Sequence, residues 1–322
     1  MKVLVTGATS LLGRTVVEQL VDRGDEPSAL QRRPSGLDVQ EHLGDIRDKA
    51  SVSAAMAGVE AVVHVAALVS VSGGWEAYAE TNVQGTSNAL DAAAEAGVSR
   101  FVQISSPSVA HSGTSLIGAS AGPADPMMTR GHYATSKAMA ELLALSADSG
   151  DMPVVAVRPH LIWGPGDTQL VGRIVDRARQ GRLATIGTGA ALVDTTYIDN
   201  AASGVIAALD RAPGLGGRAF VLTNGQPRPV RELIARIVIA AGLEPPTLKV
   251  PYRTARAGGS LVERVWDRRS ADTEPPMTRF LAEQLGTAHW FDQRETREAL
   301  AWKPHVSLSQ GFTRLTAWFN AG

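Results

Sequence analysis

The chain has no cysteine among its 322 residues and no excess of charge of either sign. The first absence excludes disulfides, thiolate metal sites and a cysteine nucleophile, and it is typical of a reducing compartment. Lysine and arginine number 31 while aspartate and glutamate number 32, so there is no basic surplus to attract nucleic acid. We therefore expect no nucleic-acid partner.

Long apolar runs are missing as well. No stretch approaches the roughly 18 apolar residues that span a bilayer, and Met1 and Lys2 lead straight into a short apolar run rather than a secretory leader. The 7 histidines are scattered without the spacing of metal ligands. These absences predict a cytoplasmic protein with no stable membrane insertion and no metal site.

Short apolar runs alternate with longer amphipathic segments through the first half of the chain. The runs predict buried strands at 3–5, 28–30, 61–65, 100–104 and 154–157. The segments between them predict helices at 11–22, 49–57, 75–96 and 132–149. Such alternation is typical of a parallel sheet covered by helices on both faces. The predicted fold is α/β, with a Rossmann-type doubly wound parallel sheet.

The pattern becomes less regular after residue 159, where glycine-rich turns separate short strand-like and helical patches. We predict a dinucleotide-binding domain over 1–159, to which strands return from about 193–225. A smaller, mostly helical C-terminal substrate lobe is predicted over 160–192 and 226–322. A ligand is expected in the seam between the two.

A glycine turn follows the first predicted strand and precedes the first predicted helix. Such a turn lets backbone amides and a helix N-terminus face the pyrophosphate of a dinucleotide, although glycines kept only for packing are the alternative. The predicted cofactor contacts in the turn are Gly7, Thr9, Ser10, Leu11, Leu12 and Gly13. A related pattern has glycines at positions 7, 10 and 13, and in this chain Ser10 replaces the middle one. We therefore expect Ser10 to displace the phosphates slightly or to add a hydroxyl contact.

The ends of the second and fourth strands indicate further cofactor contacts. Gln31 and Arg32 end the second strand, where a carboxylate would bind the ribose hydroxyls of NAD(H). No carboxylate is present, and arginine binds phosphate bidentately, so NADP(H) is favoured over NAD(H). Ala66 and Ala67 follow the fourth strand and leave room for a ribose and a nicotinamide.

Tyr133 and Lys137 lie four residues apart on a predicted helix and so face the same way. A nearby ammonium lowers the pKa of a phenol, which makes Tyr133 a candidate general acid or base. Ser106 lies at the end of a predicted central strand, where its hydroxyl can hydrogen-bond a substrate oxygen, with Ser105 as the alternative. We predict Ser106, Tyr133 and Lys137 as the catalytic set, the last two also contacting the cofactor.

These motifs resemble the extended short-chain dehydrogenase/reductase group of the NAD-dependent epimerase/dehydratase superfamily. The resemblance is closer to its 3β-hydroxysteroid dehydrogenase branch, and within it to bacterial 2-alkyl-3-oxoalkanoate reductases. The segments that carry it are Ser106–Val109, Arg158–Asp167, Leu192–Asn200, Thr223–Pro227, Pro276–Phe280 and Thr287–Phe291.

The resemblance implies several further roles. Asp45 and Ile46 are expected around the adenine, and Pro159 beside the nicotinamide. Asn82 matches a helix motif of the family, with a role in the site or in helix packing as open alternatives. A homodimer is implied, built on the helices at 75–96 and 132–149.

The leading functional prediction is reversible interconversion of a ketone and a secondary alcohol at carbon 3 of a hydrophobic small molecule. Either a 2-alkyl-3-oxo acid or a 3β-hydroxysteroid fits, with Tyr133 as the general acid or base. Candidate pocket residues are Ser106, His160, Trp163, Tyr197, His289, Trp290 and Phe291. His160 is a candidate partner for a carboxylate, with a structural role as the alternative. The competing predictions are a nucleotide-sugar epimerase or dehydratase and a non-catalytic NADP-sensing protein.

Overall fold

A computed structural model describes residues 1–69, 74–111, 113–255, 257–259 and 285–321. Its strands, in chain order, are β1 (Lys2–Thr6), β2 (Glu26–Gln31), β3 (Gln40–Leu43), β4 (Ala61–His64), β5 (Phe101–Ile104), β6 (Leu116–Ala119), β7 (Val154–Pro159), β8 (Ile162–Trp163), β9 (Thr185–Ile186), β10 (Leu192–Val193), β11 (Thr196–Tyr197), β12 (Ala219–Leu222), β13 (Arg228–Pro229), β14 (Lys249–Val250) and β15 (His289–Phe291).

The helices that the structure describes surround these strands. They are α1 (Leu11–Asp22), α2 (Lys49–Ala55), α3 (Trp75–Tyr78), α4 (Gly85–Glu95), α5 (His132–Ser146), α6 (Val171–Arg179), α7 (Ile198–Arg211), α8 (Val230–Ala240), α9 (Arg294–Ala299) and α10 (Leu308–Ala321). Within the described ranges, none is long and apolar enough to cross a membrane.

Seven parallel strands form the central sheet in the order β3-β2-β1-β4-β5-β7-β12. The strand order reverses between β1 and β4, and a crevice opens at the carboxyl ends of strands around such a point. The predicted Rossmann-type α/β fold is confirmed.

The apolar runs of the central strands serve two separate cores. Val3 and Val5 face the core that contains α1 and α7, whereas Leu4 between them faces the core that contains α2 and α4. Successive side chains of a strand point to opposite faces, so a strand covered on both sides needs apolar residues throughout. This double burial explains why the runs are continuous rather than alternating.

Two segments differ in detail from the sequence-based prediction. The helix expected over 75–96 consists of α3 and α4 joined by a π-helical turn, Ala79–Gln84. A π turn adds one residue to the repeat and commonly occurs at functional sites. Of the strands expected from about 193–225, β10 and β11 join two different small sheets.

The C-terminal part of the chain packs partly on the cofactor domain and partly beside it. Helix α7 packs against α1, and β12 extends the central sheet next to β7. A second sheet has the order β13-β10-β15-β6 and brings residues near 290 alongside residues near 117. The segment Pro276–Phe280, part of the family resemblance, lies outside the described residues.

Candidate active site

A cleft of about 1810 Å³ follows the carboxyl ends of the central strands. It is lined by nearly all of the predicted site residues: Gly7, Thr9, Ser10, Leu11, Leu12, Gln31, Arg32, Asp45, Ile46, Ala66, Ala67, Ser106, Tyr133, Lys137, Pro159, His160, Trp163 and Tyr197. Gly13 and Trp290 do not line it. A Cβ at Gly13 would collide with the Gly7 carbonyl, since that residue is buried inside the turn, and the ring of Trp290 lies against Gly118. One continuous surface therefore carries most of the positions predicted for the cofactor, for catalysis and for the substrate.

The glycine turn at the start of α1 is shaped by close approaches. Gly7 has a φ of +75°, and a Cβ there would lie 2.8 Å from the Cα of Ala66. Ser10 is the N-cap of α1, where its hydroxyl accepts from the Gly13 amide at 3.1 Å and donates to the Gly7 carbonyl at 2.8 Å. The Ser10 hydroxyl thus satisfies the turn itself, which is the usual role of a serine N-cap.

A carboxylate from the neighbouring strand β3 lies beside the end of β2, which the sequence analysis did not predict. Glu41, on β3, accepts hydrogen bonds from the Gln31 side chain at 2.8 Å and from the Ser35 amide at 2.9 Å. Hydrogen bonds from Ser35 are the main reason why the pKa of Glu41 lies below its usual value. The Oε1 of Gln31 is buried and has no partner among the described residues, which leaves one acceptor for a ligand hydroxyl.

The loop after β3 is tied to the helical layer on the same side. The Asn88 side chain on α4 donates to the carbonyls of Ile46 at 2.9 Å and Arg47 at 3.1 Å. Arg47 also forms an ion pair with Asp45, and its hydrogen bond lowers the pKa of that carboxyl. These contacts hold Asp45 and Ile46 at the rim of the cleft.

The three predicted catalytic side chains come together from two elements. Helix α5 carries Tyr133 and Lys137, and Ser106 caps the 3₁₀ turn that follows β5. The hydroxyl of Ser106 is close enough to that of Tyr133 to lower its pKa, and it lies 2.9 Å from the Ser108 hydroxyl. The Lys137 ammonium donates to the Ile104 carbonyl at 2.6 Å. Ser105, the alternative to Ser106, has a buried hydroxyl without a partner in the described part of the chain.

Burial dominates the electrostatics of this set. It raises the pKa of Tyr133, while the hydrogen bond from Ser106 acts in the opposite direction. Burial also lowers the pKa of Lys137 to about 8, opposed by the negative charge of Glu141. The sequence predicted that Lys137 lowers the pKa of Tyr133, whereas desolvation of the phenolate raises it and the Lys137 ammonium donates to the Ile104 carbonyl instead.

Asn82 links the π-helical turn to the catalytic helix. Its side-chain oxygen accepts from the Leu68 amide at 2.6 Å, and its nitrogen donates to the Leu68 carbonyl at 3.2 Å and to the Ser136 hydroxyl at 2.9 Å. Asn82 is buried, so these bonds replace water on all its polar atoms. It ties α5 to the loop after β4, which is the packing role among the two that the sequence left open.

The model of the NAD-dependent epimerase/dehydratase family matches residues 3–222 of this chain. The chain belongs to that family. A 2-alkyl-3-oxoalkanoate reductase from Stenotrophomonas maltophilia is 40% identical, over 98% of this chain and 99% of the relative. A human sterol-4-alpha-carboxylate 3-dehydrogenase, decarboxylating, is 30% identical, over 98% of this chain and 87% of the relative.

A solved structure shows that the fold is shared with an NAD-binding enzyme. The dTDP-glucose 4,6-dehydratase DesIV from Streptomyces venezuelae, with NAD bound, has a TM-score of 0.77 and 25% identity, over 100% of this chain and 98% of the other. The predicted family, the resemblance to its 3β-hydroxysteroid dehydrogenase branch and the class of nicotinamide-dependent oxidoreductase acting on ketones and secondary alcohols are confirmed. The preference for NADP(H), the homodimer and the cytoplasmic location stay predictions.

A nicotinamide dinucleotide, the cofactor of this family, fits the residues that are present. The close approach of Gly7 to Ala66 leaves no room for a larger side chain, and the capped N-terminus of α1 opens onto the cleft. Gln31 and Arg32 at the end of β2 line the same cleft. The glycine turn would therefore hold the pyrophosphate, and the end of β2 the adenosine ribose.

At the substrate end, the predicted aromatic residues mainly serve packing. Trp163 is buried and stacks on Phe312 with ring centroids 4.5 Å apart, and its ring nitrogen donates to the Thr195 hydroxyl at 3.0 Å. Tyr197 packs edge-on against Trp163 at 5.3 Å. Both line the cleft. They shape its wall rather than offer a reactive group.

Three histidines meet at this end of the cleft, one of which the sequence did not single out. His111 and His289 place their Nε2 atoms 2.8 Å apart, and the ring of His160 lies 6.2 Å from that of His289. His160 and His289 were predicted pocket residues, but His111 was missed because 178 residues separate it from His289. Its position five residues after Ser106 was the only signal in the sequence. Within the described ranges, no three histidines or carboxylates are arranged as metal ligands.

Proposed function

We propose that this chain reduces the 3-oxo group of a 2-alkyl-3-oxo acid with NADPH, using Tyr133 as the general acid. The observation that carries the proposal is the convergence of Ser106, Tyr133 and Lys137 in the same cleft as the glycine turn. A proton donor is thereby placed at the carboxyl edge of the sheet, where the nicotinamide end of a dinucleotide belongs in this fold.

The reduced nicotinamide, when bound, supplies the hydride to the ketone carbon. Ser106 donates a hydrogen bond to the ketone oxygen and so orients it for protonation. Tyr133 donates its proton to the oxygen as negative charge develops there, and its raised pKa keeps the phenol protonated at neutral pH. The Lys137 ammonium stabilises the phenolate that remains, and this is the stage at which its charge matters most.

The wall of the cleft supports a hydrophobic substrate. Helix α8 and the C-terminal helix α10 cover the substrate end with apolar side chains. Those that line the cleft include Val230, Leu233, Ile234, Ile237, Phe312 and Trp318. Alkyl chains that cover such a surface are stabilised by about 25 cal/mol for each Å² of apolar area removed from water. The relatives named 2-alkyl-3-oxoalkanoate reductase favour this substrate class over a sterol.

The proposed preference for NADPH depends on the Arg32 guanidinium and on the contacts of the Glu41 carboxylate. Arg32 is exposed at the rim of the cleft and can pair with a 2′-phosphate. The Glu41 carboxylate keeps its charge, but its Oε1 atom is taken up by Gln31 and Ser35, and the positive charge of Arg14 lies near it.

The proposal is tested by absorbance of the reduced nicotinamide with purified protein and a long-chain 2-alkyl-3-oxo acid. Steady oxidation of NADPH, faster than that of NADH, is expected. Turnover only with a 3β-hydroxysteroid and an oxidised cofactor would instead assign the chain to the steroid dehydrogenases. Conversion of a nucleotide sugar without net cofactor consumption would assign it to the epimerases.

A further inference from the structure

The three histidines form a cluster, defined here as His111, His160 and His289, that the proposed proton transfer does not use. All three are buried side chains that reach the cleft. Phe291 packs edge-on against His160 at 5.2 Å, so the cluster has an apolar neighbour on one side. A polar ring buried in an apolar wall needs a hydrogen-bond partner. The position of the proton on each imidazole therefore shows which ring nitrogen can still bind a ligand.

The hydrogen bonds decide where each neutral ring carries its proton. The Nδ1 atom of His160 lies 2.6 Å from the Asp194 carbonyl, which can only accept, so Nδ1 is protonated. Its Nε2 atom makes no hydrogen bond to the described residues. His160 therefore presents an unused ring nitrogen at the cleft.

The neighbouring pair is constrained in the same way. The Gly113 amide donates to Nδ1 of His111 at 3.0 Å, so the proton of that neutral ring is on Nε2 and is donated to His289. The remaining proton of neutral His289 is then on Nδ1, which is buried without a partner in the described part of the chain. A buried donor without a partner is costly and requires an explanation.

The cluster lies next to the reacting centre. Ile104 of β5 is in register with Val157 of β7, and the two strands are neighbours about 4.8 Å apart. Ser106 lies two residues after the end of β5, and His160 directly follows β7. His111 comes at the end of the 3₁₀ turn that Ser106 caps. In a 3-oxo acid the carboxyl carbon is two bonds from the ketone carbon, or about 2.5 Å away.

We propose that His160, supported by the His111–His289 pair, binds the carboxyl group at carbon 1 of the 3-oxo acid, an inference that rests on the proposed function. The carboxylate brings a negative charge to neutral imidazoles, and the complex takes up a proton shared between the carboxylate and the ring. The cluster thereby selects acids over esters and ketones of the same length.

The electrostatic surroundings agree with this role. Burial lowers the pKa of His160 to about 4 and that of His289 to about 3, and the neighbouring imidazoles lower both further. The Asp194 carbonyl acts in the other direction on His160, while its carboxylate is bound to Thr223 and to the amide of Gln226. Both rings are therefore neutral at pH 7 until an anion arrives.

The first test compares a 2-alkyl-3-oxo acid with its methyl ester as substrates for NADPH oxidation. Wild-type enzyme is expected to prefer the acid in kcat/KM. His160→Asn keeps a donor for the Asp194 carbonyl but removes Nε2, and should lower the acid-to-ester ratio about 10- to 100-fold, as expected for one hydrogen bond to a charged group. The matched control, His305→Asn, changes an exposed histidine and should keep the wild-type ratio. Equal losses on acid and ester would overturn the inference.

The second test needs no variant. Calorimetric titration of the NADP⁺-loaded enzyme with the 3-hydroxy acid product, in phosphate and in Tris at pH 7.5, measures proton uptake. We expect an uptake close to one proton for the acid and none for its ester. An uptake near zero for a bound acid would also overturn the inference. Failure of the proposed function is distinct, because then neither acid, ester nor ketone is reduced by the wild-type enzyme.

Discussion

The side-chain amide of Asn82 donates a hydrogen bond of 2.9 Å to the hydroxyl of Ser136, one residue before Lys137 on the catalytic helix. The same side chain holds the backbone of Leu68 through two further bonds. A single buried residue on a π-helical turn thus joins the loop after β4 to the helix that carries the proposed general acid.

Replacing Asn82 by Ala should therefore impair catalysis more than cofactor binding. We expect kcat to fall about 10- to 100-fold, because small displacements of a catalytic group have effects of that size. The free energy of unfolding should fall by about 1–3 kcal/mol, since Leu68 and Ser136 lose partners. Asn88→Ala is the matched control, because Asn88 anchors the loop at Ile46 instead. It should mainly raise the KM for the cofactor, and an identical profile for the two variants would contradict this assignment.

Tyr133→Phe removes the proposed proton donor while retaining the ring. Loss of general acid catalysis costs about 10²- to 10⁴-fold in rate, and we expect kcat to fall within that range. The dissociation constant of NADPH, measured by fluorescence titration, should change little by comparison. Tyr252→Phe, a tyrosine in the small cluster with Ile186, tests whether loss of any hydroxyl has this effect. Retention of full turnover by Tyr133→Phe would remove this residue from the mechanism.

The charge of Lys137 should appear in the pH profile of ketone reduction. Its pKa is lowered to about 8, so the ammonium is present below pH 8 and is lost above it. We expect kcat/KM to be level below pH 8 and to decline by up to tenfold for each further pH unit. Lys137→Arg retains a cation throughout this range. Its lower activity should not show the decline, and an unchanged inflection would assign the ionisation to another group.

The cofactor preference can be tested with two adjacent arginines. Arg32 lines the cleft, whereas Arg33 is exposed next to it and does not. Arg32→Gln should raise the KM for NADPH about 10- to 100-fold, the effect of one lost hydrogen bond to a charged group, with a smaller effect on NADH. Arg33→Gln should leave the ratio of the two cofactors near that of the wild type. Equal effects of the two changes would mean that general positive charge, not a phosphate contact, sets the preference.

The sequence alone determined the features that depend on the spacing of residues near one another in the chain. Continuous apolar runs such as 61–65 identified the central strands, because a strand buried on both faces needs apolar residues at every position. The spacing of Tyr133 and Lys137 indicated that both side chains face the same way from α5, since residues four apart share a helix face. The glycine turn also followed from local chemistry, because its shape depends on adjacent residues.

Only the tertiary structure decided the features that depend on residues far apart in the chain. Glu41 reaches the end of β2 through strand pairing, and His111 meets His289 through the second sheet. Neither pairing leaves a periodic signal near either residue. The pKa of Tyr133 also could not be inferred from its spacing to Lys137, because desolvation depends on everything packed around the phenol. The spacing of residues in the sequence indicates which face of a strand or helix a side chain lies on. The contacts that it makes on that face depend on segments far away in the chain.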